Sequence, residues 1–336
     1  MSNTSRNLLI DGNNLLHRAY AIFVTNRSDD PMISPSGYPT GLIYGFLSML
    51  SDWVLSVSRP SRMDVFFDGT PKRRLSLDPS YKLKEEGDKA RPGSEPFEIR
   101  LCDGYTARNE LDVLTHLFLL MGSDVYYHPD EEADDLIASY VNSRPYDYHI
   151  IVSSDRDFYQ LLADSDRIVI YRPGSTGDRF VDAEKSVTDM ERKFKVAIQP
   201  SEILMFKALT GDSSDHIPGI SRLRKRVAAA VCGCSNFDQL LETGLPGFSK
   251  IEREKVESSR DRISLNLQLV RLRRDLDISH SRTIGTPDHR MALRILTEDL
   301  GITTVSPSSF CFKQEHKVRY GGTSSYEFLP DFLKDV

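Results

Sequence analysis

Residues 7–14 read NLLIDGNN: Asn7, Leu8, Leu9, Ile10 and Asp11, then Gly12, Asn13 and Asn14. A short apolar run that ends on an acid and passes into a Gly-Asn turn is a buried strand whose carboxyl end offers a carboxylate to the loop beyond. The pattern recurs. Met63 to Phe67 leads into Asp68 and Gly69, and His149 to Val152 leads through two serines into Asp155. Ser123 to Tyr127 and Arg167 to Tyr171 are further strand candidates. Between them lie helical stretches. Leu15, Leu16, Ala19, Tyr20 and Phe23 make one apolar stripe, and Thr40 to Val57 reads as a second helix. Apolar strands alternating with helices predict an α/β fold, a twisted and mostly parallel sheet flanked by helices. In such sheets the functional crevice lies beyond the carboxyl ends of the strands. That rule alone brings Asp11, Asp68 and Asp155 together.

The chain has 336 residues, room for one large or two ordinary domains, and 39% of them are hydrophobic, enough for a core. No apolar run approaches the roughly 18 residues of a membrane span. The opening MSNTSRNLLIDGNN lacks the apolar stretch of a secretory signal. The four cysteines are too sparse for a disulfide scaffold, and Cys232 with Cys234 forms C-x-C without a second pair for zinc. A reducing cytoplasm is the expected setting. The net charge of −6, from 43 basic and 49 acidic residues, argues against a histone-like basic coat. It leaves room for segregated charge. From Thr70 to Arg100 the text holds eight basic residues and four prolines. This is a solvated loop on the plain reading and a flexible basic element near the crevice on the functional one. Past Gln199 helices dominate, over 201–209, 222–231 and 251–276, so the expected units are 1–195 and 196–336. Residues 279–336 carry no readable pattern.

With 49 acids in 336 residues, about seven acid-x-acid pairs arise by chance, so one such motif is weak evidence. The set is stronger. Asp130, Glu131, Glu132, Asp134 and Asp135 fill the first turn of a helix whose apolar stripe is Ala133, Leu136, Ile137, Tyr140 and Val141. Two acids satisfy a helix cap and dipole. Five in six residues repel one another unless cations sit among them. Asp155 and Asp157 point the same way if the backbone there stays extended. Asp212 and Asp215 lie in a turn of small residues, where a cap is the plain reading. Hard oxygen donors without cysteine or histidine partners suit Mg²⁺ or Mn²⁺. Two such ions, about 3.5–4 Å apart, serve in-line phosphoryl displacement.

Taken in order, LLIDGNNLLHRAY (8–20), VFFDG (65–69), SYK (80–82), EEADDLIA (131–138), SSDRDFYQLL (153–162) and GDSSDHIPGI (211–220) resemble the 5′-nuclease family of flap endonucleases and 5′→3′ exonucleases. The chain is most similar to stand-alone bacteriophage members and to the 5′-nuclease domain of bacterial DNA polymerase I. The resemblance runs from about residue 7 to about 220, and more loosely to Leu265–Ile278. It implies a nuclease domain over 1–195 with a basic arch near 70–100. It also implies a helical region over 196–336 with a helix-three-turn-helix-like duplex-binding segment near 201–232. The implied cofactor is two Mg²⁺ ions, with Mn²⁺ as substitute. Their carboxylates would be Asp11 and Asp68 at the first ion, Asp155, Asp157 and Asp212 at the second, and Asp134 between them. Glu132, Asp135 and Asp215 would act through water. Arg18, Arg74 and Lys82 fall where the family places cations at the reacting phosphate, with Arg73 a rival to Arg74. Duplex contacts are implied for Arg73, Lys84, Arg91, Arg222, Arg224, Lys225 and Arg226.

Two departures stand out. Residues 83–89 intervene between Lys82 and Ala90-Arg91-Pro92, lengthening the arch where the family has an asparagine-arginine pair soon after the lysine. Arg222, Leu223 and Arg224 replace the family's Gly-Ile-Gly hairpin, which leaves a K⁺ site open and puts arginine side chains in place of backbone amides. The implied activity is structure-specific hydrolysis of DNA at a 5′ end, flap or junction, with RNA primers on DNA as a further substrate. The implied setting is replication or repair in a bacterial or phage-infected cytoplasm, with replication proteins as partners and no membrane. The rivals are a PIN-type ribonuclease and a non-catalytic junction-binding protein of the same fold.

Overall fold

The computed structural model describes residues 5–27, 29–50, 60–82, 92–93, 95–173, 179–223, 233–234 and 236–305. Its strands are β1 (Arg6–Asp11), β2 (Arg62–Phe67), β3 (Ile99–Arg100), β4 (Thr106–Ala107), β5 (Asp124–Tyr127), β6 (Tyr148–Val152), β7 (Ile168–Tyr171), β8 (Phe180–Val181), β9 (Gly211–Asp212), β10 (Ile217–Pro218) and β11 (Arg282–Thr283). Seven of them form one sheet in the order β11-β5-β2-β1-β6-β7-β8. The five central strands are parallel, and β8 and β11 close the edges antiparallel. The other four pair as two short hairpins.

Period-two alternation sorts the strand residues between two apolar layers. Leu8, Ile10, Val65, Ile150 and Val152 face one core, covered by the helices Gly12–Ala19, Gly41–Leu50 and Glu110–Leu120. Leu9, Phe66, Tyr126, Ile151 and Ile170 face the other, covered by Ala133–Asn142, Ala183–Phe194 and Ile203–Thr210. Both faces being dry explains why the strands read as continuous apolar runs. Among the described residues no helix is long and apolar enough to cross a membrane.

The expected division near residue 195 marks where strands give way to helices, but packing runs across it. Val256, Ile263 and Leu267 share a core with Leu9 and Phe66. Residues 279–305, unreadable in sequence, return to the first layer. There β11 pairs with β5, and Ala292, Ile295 and Leu296 join the core of Leu8 and Ile10. The helix expected over 251–276 is two, Lys250–Ser258 and Arg260–Val270. The chain leaves the helix at Arg271 because its carbonyls are used elsewhere. Val270 accepts from the Gln160 amide, Arg271 from Arg74, Arg273 from the Ser139 hydroxyl and Arg274 from Asn142. The helix expected from Thr40 begins at Gly41 and is described to Leu50; its remainder lies outside the described residues, as does the segment 224–232.

The returning segment is fastened by charge. Asp124, 5% exposed, accepts from the guanidinium groups of Arg62 and Arg282 and from the Gly285 N–H at 3.0 Å. Breaking a buried pair leaves uncompensated charge inside. Asp124→Ala is therefore expected to lower unfolding free energy by about 3 kcal/mol, read from the urea midpoint; a change below about 1 kcal/mol would show that the clasp does not hold β11 in place.

Candidate active site

The carboxylates meet where the parallel strands end. Asp11 closes β1, Asp68 follows β2, Asp134 and Asp135 open the helix after β5, and Asp155 follows β6. Asparagine side chains stitch these ends together. The Asp68 N–H donates to Asn13 Oδ1 at 2.9 Å and the Ser154 N–H to Asn14 Oδ1 at 2.9 Å. Asp11 accepts from the Asn14 N–H at 3.1 Å and the Ser153 hydroxyl at 2.7 Å, while Asp68 accepts from the Ala133 N–H at 2.8 Å. Gly69 permits the last crossing, since a Cβ there would lie 1.9 Å from the His128 carbonyl oxygen. After β6 the backbone does not stay extended: a short 3₁₀ helix begins at Asp157, whose N–H donates to Asp155 Oδ1 at 2.8 Å. Asp157, Asp212 and Asp215 bring carboxylate oxygens within 4.8 Å of one another.

Electrostatics divides the acids. Burial, then repulsion from Asp68, pushes Asp11 up to about 7. Burial, then Asp11 and Asp155, holds Asp134 well above the carboxylate range. Asp157 is pushed up to about 7 by burial despite Lys207. Burial also opposes ionisation of Asp212, but Lys207 and Ser214 outweigh it and hold Asp212 at about 2. Lys207 Nζ bonds Asp157 and lies 2.6 Å from Asp212 Oδ2. Repulsion from Asp155 adds to the upward push on Asp11, Asp134, Asp157 and Asp215.

Glu132 and Asp135 are bound differently. Arg74, 5% exposed, grips Asp135 with Nη1 at 2.5 Å and Nη2 at 2.9 Å, and Glu132 at 2.6 Å. Its remaining bonds go to the carbonyls of Leu269, 2.8 Å, and Arg271, 3.1 Å. Arg74, expected at the reacting phosphate, is thus spent inside the protein, and Asp135, fully buried, faces it. Lys82 sits 2.7 Å from Glu132 and 3.7 Å from Asp215, with a side chain 39% exposed. Arg18 is half-buried and donates to the Ser154 hydroxyl at 3.1 Å. Arg73 is exposed and reaches the Gln268 carbonyl at 3.4 Å; Arg222 is exposed at φ 59°. Lys84, Arg91, Arg224, Lys225 and Arg226 lie outside the described residues.

A family model described as the 5′-3′ exonuclease, N-terminal resolvase-like domain, matches residues 6–194. The chain belongs to this family. As a 5′-3′ exonuclease family member it is 27% identical over 276 residues to the 5′-3′ exonuclease of Aquifex aeolicus, covering 81% of this chain and 83% of that one. It is 27% identical over 314 residues to DNA polymerase I of Bacillus subtilis, covering 91% of this chain but 32% of the polymerase. It therefore spans about a third of that relative's length. The bacteriophage T5 D15 flap endonuclease, solved as a pseudo-enzyme-product complex with DNA and metal ions, shares the fold with a TM-score of 0.53 at 19% identity, covering 91% of this chain and 97% of that one.

Three features of this nuclease's crevice escaped the sequence reading. Lys207 had a signal, a lone cation in the otherwise apolar helix ILMFKALT. Asn13 and Asn14 were read only as a turn, and Tyr81, whose hydroxyl donates to Glu132 at 3.2 Å, only as a neighbour of Lys82. Between pH 4 and 7 the folded protein keeps protons on Asp11 and Asp157 that the unfolded chain has released, so this contribution to stability falls as pH rises through that window. In chelator, Asp11→Asn is expected to raise stability at pH 8 by roughly 2 kcal/mol and by less at pH 5, measured by thermal melts at both values. A destabilised variant at pH 8 would contradict it.

Proposed function

We propose that this enzyme hydrolyses a phosphodiester of duplex DNA at a 5′ end, flap or junction, leaving a 3′-hydroxyl and a 5′-phosphate, with Mg²⁺ as its cofactor and Mn²⁺ as substitute. The observation that carries the reading is the cluster of Asp157, Asp212 and Asp215 carboxylates in a chain that belongs to a 5′-3′ exonuclease family. The residues fit divalent ions. The donors are hard oxygens, they are crowded past what cation side chains neutralise, and Asp11 and Asp157 hold protons that an ion would displace.

Asp11, Asp68 and Asp134 would hold one ion and Asp157, Asp212 and Asp215 another, with Asp155 shared. Bound divalent cations supply the acidity and positive charge that water attack on a phosphodiester needs near neutral pH. The chain's own residues orient the reaction. Lys82, held by Glu132 with a side chain 39% exposed, would face the reacting phosphate, and Arg18 would flank it from the Ser154 side. Arg74 acts as a strut, neutralising Glu132 and Asp135 so that Asp134 alone of that helix turn faces the crevice.

The helical part after residue 196, with the segment near 201–232, would hold the duplex, and Arg73 and Arg222 are exposed to join it. Lys84, Arg91, Arg224, Lys225 and Arg226 belong to the same proposal. RNA primers on DNA, replication proteins and a bacterial or phage-infected cytoplasm complete it. The T5 complex with DNA and metal ions supports DNA as substrate.

The test is a 5′-flap duplex labelled at either end, with Mg²⁺, wild type beside Asp155→Asn. Wild type is expected to cut at the junction or release short products from the 5′ end, and the variant to lose about 10³-fold in rate. Tight junction binding without cleavage would turn the reading to a non-catalytic protein.

A further inference from the structure

Beside the acids, at the ends of β6 and β7, a second group of cations gathers. The Ser153 N–H donates to the Tyr171 carbonyl at 3.0 Å, which sets Ser154 alongside Arg172. Arg18 Nη1 reaches the Ser154 hydroxyl at 3.1 Å, while Arg18 Nε is buried with no acceptor. Arg172 Nη1 lies 2.9 Å from Asp189 Oδ1 and Arg156 Nε 2.7 Å from Asp189 Oδ2. Arg172 Nη1 also donates to the Tyr159 hydroxyl at 3.3 Å, so Asp189 holds the two guanidinium groups side by side, and among the described residues no carboxylate is bonded to Arg18. Burial and then Arg172 lower the Arg18 pKa. Burial, Arg156 and Lys207 lower that of exposed Lys193, against the pull of Asp212 and Asp155. Lys193 stands one helical turn beyond Asp189 on the helix Ala183–Phe194, so the element that holds Arg156 and Arg172 brings a further cation to the same place, where an anion would balance the charge.

We propose that Arg18, Arg156, Arg172 and Lys193 form a pocket for a second phosphate group of the substrate strand, adjacent to the one that is cleaved. The proposal rests on the reading of the protein as a DNA-cleaving 5′ nuclease and adds a subsite to it. Asp155 stands between Ser154 and Arg156 in the chain, so a strand with its reacting phosphate over Asp155 carries a neighbouring phosphate toward these cations. The pocket sits on the β7 flank of the sheet, whereas Lys82 holds Glu132 at the helix that follows β5. Cations on both flanks fix the strand's register across the carboxylates, a positioning role for Arg156, Arg172 and Lys193. The group bound is a phosphate in either of two settings, an internal phosphodiester or the terminal 5′-phosphate.

The test uses 5′-flap duplexes with a single uncharged methylphosphonate at each of two positions on either side of the cut. A flap-free duplex carries either 5′-phosphate or 5′-hydroxyl. Values of kcat/KM are compared for the full-length wild type, Arg172→Gln and Lys193→Ala, the last an exposed change that leaves the Asp189 bonds intact. One position is expected to slow the wild type by about 30-fold, as loss of a charge-assisted contact does. Each variant should be slow on the all-phosphate substrate yet lose its sensitivity at that position alone. Sensitivity at an internal position identifies a phosphodiester; sensitivity confined to the flap-free pair identifies the 5′-terminal phosphate. Equal methylphosphonate effects in wild type and variants, or none in an active wild type, would overturn the pocket. A wild type that cleaves no duplex at all would defeat the reading beneath it.

Discussion

Carboxylates crowded at one end of a parallel sheet repel one another, and much of the molecule is arranged around that repulsion. Two like charges 4 Å apart at an effective dielectric near 20 cost about 4 kcal/mol, against a whole-domain stability of roughly 5–15 kcal/mol. A cluster of seven cannot be left unopposed. Three devices oppose it here. Protons stay on Asp11 and Asp157 near neutrality. Lys207 is buried among Asp157 and Asp212. Arg74 and Lys82 take Glu132 and Asp135 out of the crowd. The charge that remains facing the crevice is what divalent cations would neutralise.

Arg74 links this chemistry to the rest of the fold. Its guanidinium joins the first turn of the Ala133–Asn142 helix to the carbonyls of Leu269 and Arg271, at the end of the Arg260–Val270 helix. The helical region proposed to grip the duplex is therefore bonded to the same helix turn that carries Asp134. Arg74 thus ties the two elements through one side chain. The extended segment after Val270 exists for the same reason: its carbonyls are committed to side chains of the nuclease layer, and a helix would withdraw them.

Much of the sheet was legible in the text. Apolar runs ending on Asp11, Asp68 and Asp155 gave strand, direction and carboxylate together, because a doubly covered parallel strand has to be apolar throughout. The roles within EEADD were less accessible. Glu132 and Asp135, three residues apart, share a helix side, and Asp134 lies on another. The spacing was visible, but the partner that makes the difference, Arg74, is about sixty residues away in sequence. Lys207 was hidden likewise, since only its distant neighbours reveal that its helix face is the acidic one. The return of residues 279–305 to the sheet left no pattern because β11 is two residues long and its anchor is the buried charge of Asp124.

The most direct test of a carboxylate cluster built for divalent cations is calorimetric titration of the metal-free protein with Mn²⁺ at pH 7, in two buffers of different ionisation enthalpy. The expected result is binding accompanied by proton release, because Asp11 and Asp157 are partly protonated there, with the release shrinking by pH 8.5. Binding without proton release at pH 7, or no binding at millimolar Mn²⁺, would contradict it.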